Sequence, residues 1–180
     1  MGSRPAAVRT LSKSDFKVAR TCDAKLFFRE NGYPDTREWD PYLRLLAEGG
    51  YMVEALATAK KPGGIALEYG RNFADDFQRT AEYLARDRVT LFQATLLWNR
   101  RLARADIIEK DGDVIRLIEV KSKSFEGAEH FASLASGGAG VFRGARKPHA
   151  IRADWRDNFE DVTYQTLILE HLFPSRLVND

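Results

Sequence analysis

The sequence predicts an α/β fold, in which helices flank a sheet built around one β-hairpin. Two apolar runs, residues 105–108 and 114–120, lie on either side of Asp111-Gly112, and a two-residue Asp-Gly turn is a strong signal for a hairpin. Residues 88–98 are rich in β-branched and aromatic side chains and predict a third strand that leads into the hairpin. We therefore expect three consecutive antiparallel strands, with helical segments before and after them.

Helices are predicted where apolar residues recur at helical spacing between capping residues and chain breakers. The first helix has Ser12 or Ser14 available as its N-cap. The predicted ranges are 12–29, 41–59, 73–86, 128–135 and 159–172, and the last helix ends before Pro174. The long connection over residues 122–160 contains a glycine run, which we expect to act as a hinge or a flap.

The hairpin brings two carboxylates and a lysine to one face of the sheet. A register that pairs Lys110 with Asp113 places Asp106 diagonal to Glu119, and the alternation of side chains puts Lys121 on the same face. Adjacent carboxylates repel each other, and a divalent cation would relieve the conflict. Oxygen ligands without nearby cysteine or histidine favour Mg²⁺ or Mn²⁺. The alternative is a hairpin whose polar residues face water and form ordinary cross-strand salt bridges.

This pattern, with Asp106 on one strand and Glu119-Val120-Lys121 on the next, resembles the signature of the PD-(D/E)XK nuclease superfamily. The order of the flanking segments resembles RecB-like nuclease domains, particularly an uncharacterised bacterial branch, over most of the chain. Ala105 stands where the superfamily usually has proline.

The resemblance implies a restriction-endonuclease-like core, a central mixed β-sheet flanked by helices, in a single domain over residues 1–180. Within that domain it implies a basic N-terminal helical segment, catalytic strands, a long loop or insertion and a C-terminal core helix, at residues 1–35, 88–121, 122–160 and 159–173. Few residues follow the last helix, so the fourth core strand is expected to be short or missing. An open sheet edge of this kind would invite a homo-oligomer or a partner domain.

The resemblance also implies a Mg²⁺- or Mn²⁺-dependent deoxyribonuclease, with either endonuclease or exonuclease action open. Asp106 and Glu119 would bind the metal, the Val120 carbonyl would assist, and Glu54 of the stretch Gly50 to Glu54 would complete the shell. The alternative for Glu54 is a solvent-facing glutamate on an amphipathic helix.

Two further catalytic roles follow from the resemblance. Lys121 would position the attacking water and stabilise the transition state, and Gln165 would orient Lys121 or the substrate. Leu169 stands where the family carries a tyrosine four residues after this glutamine, and Tyr164 would point elsewhere on a helix. The alternative for Gln165 is an inward amide that satisfies backbone groups.

Composition indicates a single domain with an ordinary core, since 44% of the 180 residues are hydrophobic. No apolar run could span a bilayer and no signal-peptide core precedes the domain, so we expect a cytoplasmic protein without a membrane partner. Cys22 is the only cysteine, which excludes an internal disulfide and a four-cysteine cluster.

The net charge of +2 is nearly balanced, but the basic residues are clustered. Phe142 and Trp155 lie within one cluster and could stack on unpaired bases. We expect single- or double-stranded DNA to contact Lys17, Arg20, Arg104, Lys123, Arg143, Arg146 and Lys147. The alternative function is a catalytically silent nuclease-fold module that binds nucleic acid or a partner protein.

Overall fold

The computed structural model describes residues 9–34, 40–68, 70, 72–138, 140–144, 147–174 and 176–179. Arg146 lies outside these residues, and the side chain of Lys147 lies outside the described part as well. Among the described residues the helices are α1 (Lys13–Thr21), α2 (Asp23–Glu30), α3 (Pro41–Ala59), α4 (Phe73–Leu84), α5 (Gly127–Ala135) and α6 (Ala153–Leu172). The strands are β1 (Leu11–Ser12), β2 (Ile65–Ala66), β3 (Arg88–Trp98), β4 (Arg101–Asp111), β5 (Val114–Ile118), β6 (Arg143–Gly144), β7 (Lys147–Ile151) and β8 (Leu177–Asn179).

The protein is α/β, and its main sheet is mixed and open. Its order is β2-β3-β4-β5-β8, and β1 pairs in parallel with the start of β4. The three central strands are antiparallel, as predicted, whereas the short edge strands β2 and β8 run parallel to β3 and β5. The strand after the last helix is therefore short, as expected. A separate two-stranded sheet is formed by β6 and β7.

The register of the hairpin differs from the predicted one by two residues. Asp111 pairs with Val114, so that Gly112 and Asp113 form the turn. Gly112 has a φ of +57°, which a tight hairpin turn requires and which glycine adopts without strain. Because side chains alternate with period two, a shift of two residues leaves every side chain on its predicted face.

The prediction of one continuous helix over residues 12–29 is wrong, because the chain forms the two helices α1 and α2 there. Ser12 is the N-cap of α1, and its hydroxyl and the Asp15 side chain form a capping box. Cys22 has an extended backbone, with φ −169° and ψ 120°, and separates α1 from α2. Thr21 and Cys22 both have low helix propensity, which makes this a favourable place for the break.

The connection over residues 122–160 is more structured than a long loop. It contains α5, which starts one residue before the predicted helix, and the β6–β7 hairpin. It also contains the start of α6, which begins at Ala153 rather than at residue 159. The aromatic side chain of Trp155 packs edge-to-face on Phe142, and this contact fixes the first turns of α6.

The core lies where α6 and α4 pack on the central strands. Ile108 on β4 and Ile168 on α6 have no exposed surface, and both belong to one cluster of buried apolar side chains. The packing of α6 on β3 and β4 carries its polar residues Asp161 and Gln165 toward the end of β5. No helix of the described residues is both long and apolar enough to cross a membrane.

Candidate active site

The candidate site lies where the chain leaves β5 and passes beside β4. The backbone N–H of Val120 donates a hydrogen bond of 2.7 Å to Asp106 Oδ2. The last pair of the β4–β5 ladder is Ile107 with Ile118, so Asp106 and Glu119 are next in the same register. The bond from Val120 thus holds the segment after β5 against β4, and both carboxylates stay at one place.

Glu119 is the centre of the site. Its side chain is only 3% exposed, and each of its oxygens accepts hydrogen bonds. Oε1 accepts from Lys13 Nζ at 2.6 Å and from Lys121 Nζ at 2.8 Å, and Oε2 accepts from Gln165 Nε2 at 2.6 Å. Burial opposes the charged form, but Lys13 and these hydrogen bonds together lower the pKa of Glu119. The carboxylate is therefore ionised at neutral pH.

Lys121 is held between two carboxylates. Its ammonium donates 2.6 Å to Asp161 Oδ2 on α6 as well as to Glu119. Burial would lower the pKa of Lys121, but the bonds to Asp161 and Glu119 outweigh burial and raise it. Lys17 Nζ lies 3.3 Å from the other oxygen of Asp161. Lys121 is consequently a positioned cation.

Asp161 was not predicted as a site residue, although α6 places it one turn before Gln165. Gln165 is fully buried, and its Nε2 also donates to the Asp161 carbonyl at 3.0 Å. The spacing of four residues puts both side chains on one face of the helix. The spacing could have identified Asp161 from the sequence, because an acidic residue four positions before the predicted glutamine lies on the same face of the helix.

Tyr164, next to Gln165, points away from the site. Its hydroxyl donates 2.7 Å to the Leu11 carbonyl, and its ring stacks on Phe16 with centroids 5.2 Å apart. It therefore ties α6 to the N-terminal segment. Leu169 is buried in the core and supplies no polar group.

The acidic side of the site is formed by Glu54 and Asp106. Burial and the charges of Asp106 and Glu119 raise the pKa of Glu54, and burial and the charge of Glu119 raise that of Asp106. The Glu54 carboxylate accepts a hydrogen bond from Gln93 Nε2. Gln93 has a φ of +57° inside strand β3, a conformation that is rare for a residue other than glycine. Glu54 therefore faces the sheet and senses the other two carboxylates.

Glu54, Asp106 and Glu119 offer carboxylate oxygens, which are the ligands that Mg²⁺ and Mn²⁺ prefer. The raised pKa values of Glu54 and Asp106 arise in part from repulsion by the neighbouring carboxylates, which a cation would relieve. Within the described residues, however, no three His, Cys, Asp or Glu side chains are arranged to hold a metal ion. Lys13 occupies Oε1 of Glu119 and Gln165 occupies Oε2. Because Oε1 also accepts from Lys121, metal coordination through that oxygen would require one of the two ammonium groups to leave it.

Several of the predicted DNA contacts have partners within the protein. Lys17 pairs with Asp161, and Arg20 pairs with Glu160 on α6. Arg104 donates to the carbonyls of Gln93 and Leu67 at 3.1 Å each, and burial lowers its pKa to about 10. Lys123 lies over the ring of Trp155, and Arg143 is exposed on β6. Lys17, Arg20, Arg104 and Lys123 thus have partners within the protein, whatever they contribute to binding.

Comparison with known proteins gives no match. No family model fits the chain, and no curated protein and no solved structure is detectably similar to it.

Proposed function

We propose that the protein is a Mg²⁺- or Mn²⁺-dependent nuclease that hydrolyses DNA phosphodiester bonds, with a RecB-like PD-(D/E)XK core and a cytoplasmic location. The observation that carries the proposal is the convergence of Asp106, Glu119, Lys121 and Gln165 from β4, the end of β5 and α6. A surface hairpin with ordinary salt bridges does not need a carboxylate that is 3% exposed and accepts three hydrogen bonds.

The metal would be held by Asp106 and Glu119, with the Val120 carbonyl and Glu54 as further oxygen ligands. When bound, the ion supplies Lewis acidity that polarises the phosphate and lowers the pKa of a water molecule. Gln165 keeps Glu119 oriented through its hydrogen bond to Oε2. The fixed geometry of the carboxylate is what a catalytic metal ligand requires, because its rotamer does not have to be ordered during the reaction.

Lys121 supplies a positive charge at a fixed place. Its two bonds to Glu119 and Asp161 hold the ammonium next to the carboxylate that would bind the metal. A cation there stabilises the negative charge that develops on the phosphate oxygens during attack by water. The raised pKa of Lys121 excludes a role as a general base at neutral pH.

Lys13 stands in for part of the positive charge that the metal would bring. It contacts Glu119 from the first turn of α1, and its side chain is 21% exposed, so it can swing toward solvent. Once displaced, its ammonium would be available to pair with an incoming phosphate. Lys13 would thereby pass from a carboxylate partner to a substrate partner.

A second candidate is a catalytically silent module of the same fold that binds nucleic acid or a partner protein. The observation that favours it is that both oxygens of Glu119 already accept bonds from protein donors. In that case the cluster is a structural charge network, and divalent metal would not bind.

The experiment that separates the two is cleavage of labelled linear, circular and single-stranded DNA, with an RNA arm, in Mg²⁺, Mn²⁺ or EDTA. Wild type is compared with Asp106→Asn and Lys121→Met, and Asp111→Asn serves as an exposed control on the same strand. Cutting that requires metal, is lost in the first two variants and persists in the third supports the nuclease. Binding without cutting of any substrate supports the silent module, and cutting of the circle distinguishes endonuclease from exonuclease action.

A further inference from the structure

A cavity of about 510 Å³ lies beside the candidate site, and most of its lining residues have no role in the reaction proposed above. Its volume falls within the range of roughly 300–1,000 Å³ that is typical of small-ligand pockets. Glu119 and Lys121 belong to its lining, so the cavity opens onto the place where a phosphodiester would react. Half of the other eight lining residues are aromatic: Phe125, Phe142, Trp155 and Phe159.

Phe142 is the centre of this aromatic wall. Phe125 stacks on it with centroids 5.5 Å apart and an interplanar angle of 17°. Trp155 and Phe159 meet Phe142 edge-to-face, at 5.0 Å and 5.6 Å. Phe125 has one face on Phe142 and remains 44% exposed, so aromatic surface stays open for a further ring.

Positive charge borders the same cavity. Lys123 Nζ lies 4.3 Å from the centroid of the Trp155 ring and donates to the Asp154 carbonyl. Lys121 lines the cavity on the side of the active site. An aromatic platform flanked by lysines is the arrangement that binds single-stranded nucleic acid, because bases stack on the rings while cations hold the phosphates.

A purely structural role would make this cluster a small core that fastens α5 and the β6–β7 hairpin to α6. Such satellite cores form under long connections and bury their rings. Here Phe125 and Phe159 are 44% and 36% exposed, and open volume remains between the rings and the lysines. The wall is thus packed from behind by Phe142 and open in front.

We infer that this cavity binds an unpaired nucleobase of a single strand whose neighbouring phosphodiester lies at Glu119 and Lys121. The inference rests on the proposed function and specifies its substrate: single-stranded DNA, or a strand end that has separated from its complement. A paired base cannot enter, since it is stacked within the duplex and its face is covered.

The test is binding of short single-stranded DNA that carries 2-aminopurine at one position in turn, measured by fluorescence in EDTA so that no strand is cut. We expect the 2-aminopurine fluorescence to be quenched at one or two positions of the single strand and at none in the matching duplex. The same measurement on RNA tests whether the sugar affects binding. Phe125→Ala and Trp155→Ala should weaken binding by about 5- to 150-fold, the change that corresponds to about 1–3 kcal/mol per stacked base. Trp155→Phe should recover most of the affinity, and Tyr42→Ala, an exposed aromatic that lines neither this cavity nor the one beside Asp106, should leave it unchanged.

An abasic site in the DNA provides the chemical counterpart. Placed at the quenched position, it should weaken binding to wild type as much as Phe125→Ala does, and combining both changes should cost nothing further. Additive losses would overturn the inference, as would equal affinity of folded Phe125→Ala and wild type. Because Phe125 is the most exposed ring of the wall, this variant decides the matter even if Trp155→Ala does not fold. If wild type binds the base but does not cut DNA with metal, the inference about the cavity stands and the proposed nuclease function fails. If wild type cuts DNA and Phe125→Ala binds the strand as tightly as wild type, the nuclease function stands and the inference about the cavity fails.

Discussion

Replacing Asp106 with asparagine should make the metal-free protein more stable while it abolishes metal binding. The amide oxygen of the introduced asparagine can still accept the bond that Val120 donates to Oδ2 in wild type. What is lost is a negative charge, and burial and the charge of Glu119 raise the pKa of that carboxyl. Because the pKa of Asp106 is higher in the folded than in the unfolded protein, this carboxyl stabilises the folded state fully only below its unfolded-state pKa. That stabilisation is lost as the pH rises through the folded-state pKa. Wild type therefore carries the cost of the charge at pH 7–8, and Asp106→Asn does not.

The magnitude follows from the register. Residues directly opposite in an antiparallel pair have Cβ atoms about 5 Å apart, and at an effective dielectric constant of about 20 two unit charges at that distance repel by about 3 kcal/mol. Lys13 and Lys121 act on Asp106 as well and offset much of this repulsion. A net gain of about 1 kcal/mol remains, which corresponds to a rise of about 2–4 °C in Tm for a chain of this length.

The assay is thermal unfolding of wild type and Asp106→Asn in EDTA and again with Mn²⁺, with Asp111→Asn as the control. Asp111 lies on the same strand and is 69% exposed in its pair with Arg88, so its loss should change Tm little. A Mn²⁺ concentration of about 100 times Kd should stabilise wild type by about 2.7 kcal/mol and leave Asp106→Asn unchanged. A lower Tm for Asp106→Asn in EDTA, or an equal response of both proteins to Mn²⁺, would refute this account of the site.

Three further changes test single contacts. Lys121→Met should abolish cleavage in a gel assay while sparing Mn²⁺ binding by calorimetry, and near-normal turnover would contradict the role of the ammonium. Gln165→Leu should lower the free energy of unfolding in urea by about 1–3 kcal/mol, because it removes the donor to Glu119 Oε2 inside the core; an unchanged midpoint would count against that bond. The hydrogen bond from Lys61, together with Arg116, lowers the pKa of Glu109 although burial would raise it. The ionised Glu109 therefore stabilises the folded state above its unfolded-state pKa, and this stabilisation is lost as the pH falls through the lowered folded-state pKa. Glu109→Gln should cost about 0.5–1 kcal/mol at pH 7 and nothing in strong acid, which urea titrations at both pH values measure.

Elements with a strong local pattern were predicted well from the sequence. The helix at 41–59 and the strand at 88–98 have the predicted bounds, because breakers flank the first and β-formers fill the second. Elements that depend on distant partners were not predicted, except β8, for which the sequence left open whether the strand is short or missing. Strands β1, β2 and β8 have two or three residues each and exist only through pairing with β4, β3 and β5. The early start of α6 likewise depends on the contact between Trp155 and Phe142.

The site was predicted in composition more than in contacts. Asp106, Glu119 and Lys121 share a face because side chains alternate with period two and the observed register differs from the predicted one by an even number of residues. Gln165 reaches them from α6. Asp161 and Lys13 were not foreseen, since their part in the site depends on how α6 and α1 pack against the end of β5. A local pattern cannot report such packing.

The charges around Glu119 explain why metal and substrate would enter together. Within the described residues the site groups four carboxylates with four cationic side chains, so it is close to neutral when fully ionised: Glu54, Asp106, Glu119 and Asp161 against Lys13, Lys17, Lys121 and Arg104. A divalent cation alone would leave an excess of positive charge, and a phosphodiester alone would meet the carboxylates of Glu54 and Asp106. When both are bound, the single negative charge of the phosphodiester offsets half of the cation's charge, and the Lys13 ammonium, released from Glu119, would be available to pair with the phosphate. Binding of the cation and binding of the strand are therefore expected to strengthen each other by the same factor.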